Sequence, residues 1–171
     1  MTGEKYMNVF EKHFDMLKKN ENIFEQCKIE EMNNNINENY KYKGIELLDK
    51  KRCDEFMQVR SIHYSNIIFK RLDEFNFPEW IICIEEKVLL DYAVPIFLKV
   101  LEKYPMLCGM HCEWEILYEI IKIEEVFWIN HIDWKENLNA IIKDVIFNYE
   151  KKLYNINYEY IEQFKKYIYK C

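Results

Sequence analysis

The stretch "PMLCGMHCEW" (105–114) sets Cys108, His111 and Cys112 three and four residues apart, a spacing that places side chains on one helix face. Thiolate and imidazole are zinc ligands, and a structural zinc site takes four of them. Only three are local, so Cys83 or His131 would have to complete the set through folding. A nucleophilic thiol beside His111 or His131 is the second chemistry open to this cluster. It needs an electropositive setting to hold a thiolate, and the neighbourhood is apolar and acidic. Gly109 also works against a continuous helix through Cys108. Small side chains in a core are the simplest reading, with a metal- or thiol-dependent protein on Cys108, His111 and Cys112 as the alternative.

Other chemistry finds less support. His13 and His63 fall on apolar stripes among Phe and Val, as core or boundary histidines do. There is no HExxH, and both chain serines, Ser61 and Ser65, lie in "RSIHYSN", one helical turn apart. The three glycines are scattered, so no phosphate-cradling loop exists and no cofactor is expected. The pairs Glu85/Glu86 and Glu124/Glu125 are adjacent, so their carboxylates diverge rather than converge on a cleft. The chain is therefore expected not to be an enzyme. Lysine and tyrosine mix in the last 23 residues, but Glu150, Glu159 and Glu162 dilute the charge there. With the Lys/Arg set at 50–52, 60 and 70–71, this stretch leaves a nucleic-acid-binding helical module as a further alternative.

Charge is segregated along the chain. Residues 41–71 hold eight Lys/Arg against four Asp/Glu, whereas 72–133 hold four against thirteen, in a chain of net charge −6. The acids of the second segment include Glu85, Glu86, Asp91, Glu113, Glu119, Glu124 and Glu125. An acidic face can steer a basic partner. Four tryptophans cluster at 80, 114, 128 and 134, and Trp80 and Trp134 stand at helix starts, where a ring edge can stay exposed and anchor an interface.

The elements that position these residues follow from periodicity. Val9, Phe10, His13, Phe14 and Leu17 mark one face of a helix from Glu4 to about Gln26. The asparagine-rich stretch 32–44 reads as a loop, and a helix is expected from about Ile45 to Phe75. In "NFPEW" Pro78 suits a helix start. The apolar run 79–103 should be kinked or divided at Pro95. In 112–130, Trp114, Leu117, Tyr118, Ile121 and Trp128 cover one side, and Ile116, Ile120, Ile123 and Phe127 nearly the opposite one. A helix apolar round most of its circumference belongs in the middle of a bundle. "DWKE" (133–136) resembles a capping box on Asp133, and Asn157 caps a last helix with Ile161, Phe164 and Ile168 inward.

The expected fold is all-α: one domain over 1–171, six or seven helices around a central apolar helix at 112–130. No secretory signal or bilayer-length apolar run is read, which points to the cytosol and to six free thiols rather than a disulfide framework. The expected function is binding: an acidic, aromatic-edged face formed by Glu85, Glu86, Glu113, Glu119, Glu124, Glu125, Trp80 and Trp134 occupies a basic protein surface. Nucleic-acid enzymes carry such surfaces, and an inhibitor, an immunity protein or a phage or viral antagonist would work in this way.

Overall fold

A computed structural model describes the backbone of residues 4–34, 38–59, 66–107 and 114–169, and the side chains of 18–33, 40–55, 66–107 and 114–169. Among the described residues, nine α-helices run in the order α1 (Glu4–Asn34), α2 (Gly44–Leu47), α3 (Lys50–Val59), α4 (Phe77–Glu85), α5 (Leu90–Lys103), α6 (Glu115–Ile121), α7 (Glu125–Ile129), α8 (Ile132–Glu150) and α9 (Tyr158–Tyr169), with three 3₁₀ turns at Glu38–Lys41, Asn66–Phe69 and Leu72–Glu74. The described residues contain no strand, only a bridge between Lys43 and Arg71, so the fold is all-α. No described helix is long and apolar enough to cross a membrane.

The central helix is α5, not the 112–130 stretch. It packs against α1, α4, α6 and α8, and Val94, Ile96, Phe97, Val100 and Leu101 have no exposed surface. Pro95 sits buried inside α5 without dividing it. An interior proline costs about 3 kcal/mol. Burying each of these five side chains contributes about 1.5–3 kcal/mol, so packing outweighs the proline. The run 79–103 breaks earlier, where Lys87 (φ 56°) and Leu89 (φ 52°) adopt left-handed backbone. Lys87 is held there because its ammonium donates to the carbonyls of Ile84 (2.8 Å) and Glu119 (2.9 Å).

The described part of the 112–130 stretch, from residue 114 on, holds two short helices. α6 stops at Ile121, and Glu124 is extended (φ −60°, ψ 145°) before α7 starts. Turning the chain here lets Ile116, Leu117, Ile120, Ile123 and Trp128 all reach the core. Val126 and Ile129 are left outside.

Local signals explain the other boundaries. Asn76 caps α4: its Oδ1 accepts from the Glu79 N–H (3.0 Å), and Glu79 Oε2 accepts from the Asn76 N–H (2.9 Å). Pro78 follows in the first turn. Asn157 Oδ1 accepts from the Glu159 N–H (3.0 Å) at the start of α9, where Ile161 and Phe164 are buried. Asp133 does not cap α8; the cap position is His131, which makes no side-chain capping bond, and Asp133 lies in the first turn. The expected helix 45–75 is interrupted, because the chain crosses itself. The Gly44 N–H donates to Lys70 O (3.3 Å) and the Leu72 N–H to Tyr42 O (3.1 Å). A Cβ on Gly44 would stand 3.2 Å from the Ile68 Cα, a tight contact, so the close crossing favours glycine. The α1 helix continues to Asn34, into the stretch expected to be loop.

Candidate functional site

Cys108, His111, Cys112 and Glu113 lie outside the described residues, as do His63 and the side chain of His13. The two residues expected to complete a metal set are otherwise occupied. Cys83 is in the core at 1% exposure, and burial, reinforced by Glu79, pushes its thiol well above the usual range. Both ring nitrogens of His131 face oxygens: Nδ1–H donates to the Phe127 carbonyl (2.9 Å), and Nε2 lies 3.0 Å from Asp91 Oδ1. Cys27 and Cys53 are likewise buried free thiols.

The expected acidic face separates into different environments. Glu119 is engaged inside the molecule, with Lys122 Nζ at 2.5 Å and Lys87 Nζ at 3.4 Å. Burial draws the Lys87 ammonium below the usual lysine range, against the pull of Glu119. Glu85 and Glu86 are half-buried at the end of α4, and both have partners. Trp80 offers no ring edge: it has no exposed surface and packs between Phe75 (ring centroids 5.1 Å apart) and Tyr40 (6.5 Å). A helix start need not lie at the surface: Phe77 and Trp80, in the first turn of α4, are both buried.

Glu124, Glu125 and Trp134 do come together, at the corner where α7 turns into α8. An ion pair between Glu125 and Lys135 ties the two helices. His131 stacks on both Phe127 (4.3 Å, 24° between planes) and Trp134 (4.3 Å, 14°), whose own centroids are 6.2 Å apart, so the three rings form a bent cluster. Through Asp91 the cluster is pinned to α5. This pinned cluster holds Val126, Ile129 and Ile132 outward at 62%, 63% and 61% exposure. Between residues 124 and 136 the sequence has Glu124, Glu125, Asp133 and Glu136 against Lys135 alone. Ile129 to Trp134 line a concavity of about 370 Å³.

Three exposed aliphatic side chains close together in an acidic surround make this corner a candidate contact surface. Val126, Ile129, Ile132 and Glu136 were not among the residues expected from sequence. A signal existed: Val126 and Ile129 belong to neither apolar stripe of 112–130.

The basic segment is brought together differently. The Lys43–Arg71 bridge sets Lys41, Tyr42 and Lys43 beside Phe69, Lys70 and Arg71, all exposed. Lys70 pairs with Glu79 (2.6 Å) and Arg71 with Asp73, while Glu46 and Glu74 cap nearby backbone. Two of the four cations are thus paired with carboxylates, and two further carboxylates stand on the same ribbon, so its formal charges balance.

No protein-family model matches this chain, and no match is found among curated proteins or solved structures.

Proposed function

We propose that this chain is a cytosolic binding protein that occupies a basic surface of a macromolecular partner, as an inhibitor or antagonist does, and that it docks through the α7–α8 corner. The exposed Val126, Ile129 and Ile132, set among Glu124, Asp133 and Glu136, carry this reading. Interfaces combine an apolar centre with a charged rim, and the rim sets approach and specificity. The docking face is narrower than the sequence suggests, because Glu119 and Trp80 are committed to the fold. Nucleic acid is the weaker reading, since the basic ribbon at 41–43 and 69–71 is charge-balanced and a phosphate backbone rewards net positive charge.

The test is capture of a partner from an extract of the source organism, its identification, and re-binding with purified components. Binding is expected to weaken with salt and to be lost in Glu124→Lys/Asp133→Lys/Glu136→Lys. It should survive the same charge change at Glu21, Asp144 and Glu159, which are exposed elsewhere. Equal effects of the two triple variants would reduce the corner to a contribution to net charge and overturn the reading.

A further inference from the structure

We infer that the concavity at the α7–α8 corner is a slot for an arginine side chain of the partner, with Trp134 as its stacking platform and Asp133 as its counter-charge. The inference rests on the docking reading above and names what that surface recognises.

Trp134 differs from the other three tryptophans. Trp80, Trp114 and Trp128 are exposed by 0%, 2% and 0%, whereas Trp134 is partly open and lines the concavity. Its ring stacks on His131, which also stacks on Phe127, and the Phe127 and Trp134 centroids lie 6.2 Å apart, so the three rings form a bent cluster. The part of the indole that borders the concavity stays partly open. A planar guanidinium stacks on an indole and gains cation–π attraction there. Asp133, exposed in the same concavity, offers the two oxygens that match the guanidinium fork. Ile129 and Ile132 line it too and would cover the aliphatic stem.

One effect opposes a cation here. The slot lies at the N-terminus of α8, whose dipole places about half a positive charge there. Asp133 supplies a full negative charge within that first turn, and Glu136 adds another one residue beyond Lys135. The lysine is itself paired with Glu125, so the local balance favours a cation. The volume, about 370 Å³, is at the low end of what holds a small ligand and suits one long side chain.

The experiment compares hexa-arginine with hexa-lysine, peptides of equal charge, titrated into the full chain at low salt and followed by tryptophan fluorescence and by calorimetry. Hexa-arginine is expected to bind about fivefold more tightly, the ratio that a surface cation–π contact supports. Trp134→Leu and, separately, Asp133→Asn should bring the two peptides within twofold of each other while hexa-lysine affinity changes little, an estimate on the order of the exposed-contact energies. Equal binding of the two peptides by the unaltered chain overturns the arginine slot and leaves the acidic docking corner standing. Binding of neither peptide removes both. Calorimetry keeps the Trp134 variant informative, because its readout does not depend on the indole.

Discussion

Two stretches of this chain are equally rich in apolar residues and meet opposite fates. Residues 77–103 fold into α4 and α5, and nearly every large side chain there is buried. Residues 114–134 break into α6, α7 and the start of α8, and they leave Val126, Ile129 and Ile132 in water. Apolar content alone does not separate them. What separates them is where each chain turns. The first turns once, at Lys87–Leu89, and then lets α5 run unbroken between four helices. The second turns at Lys122–Glu124 and again at Asn130–His131, and five-residue α7 cannot bury two faces at once. Apolar surface left over by this second pattern is available for a partner.

The contrast predicts graded effects on stability. Phe97→Ala, in the middle of α5, removes a fully buried ring and should cost about 3–5 kcal/mol in urea unfolding. A cost below about 1 kcal/mol would show that α5 is not the centre.

Next in size is a pH effect from Cys83. Its thiol is raised in the fold by burial, from an ordinary value of 9.0. Above pH 9 the unfolded chain therefore releases this proton while the folded chain keeps it, and stability falls as pH rises. The contribution is about 1.4 kcal/mol per pH unit for one group. Cys83→Val should flatten the alkaline limb of a stability-versus-pH curve by that amount, whereas Cys53→Val, at the rim of the core, should flatten it less. An unchanged slope in Cys83→Val would place the thiol in water.

Asn76→Ala removes the cap that starts α4 and should cost about 1 kcal/mol. Asp133→Ala, in the first turn of α8 rather than at its cap, removes no capping bond and should stay within about 0.5 kcal/mol. If the two costs came out reversed, the cap would be at Asp133 and the corner would be built differently. Both are read from the urea midpoint.

Much of the architecture is written in local signals. The helical class, the start of α4 at "NFPEW", the Asn157 cap and the inward Ile161 and Phe164 are set by neighbours in sequence. The features that escape sequence reading depend on distant partners. Pro95 is tolerated because four other helices wrap α5. Gly44 is favoured because residues 68–70 pass close over it. Glu119 is tied down by Lys87, 32 positions away. The corner itself was half legible: Glu124, Glu125 and Trp134 are read from composition and position, while the His131 ring cluster needs Asp91 from α5, and the outward Val126 and Ile129 show only as residues that no stripe claims.

The central claim is that the apolar side chains of the α7–α8 corner serve a partner and not the fold. The unfolding free energy of Val126→Ala/Ile129→Ala/Ile132→Ala in urea measures this directly. A total change below about 1 kcal/mol is expected, because three exposed side chains lose little when shortened. A loss of about 6 kcal/mol or more, the sum expected for three core truncations, would place these residues in the interior and contradict the account.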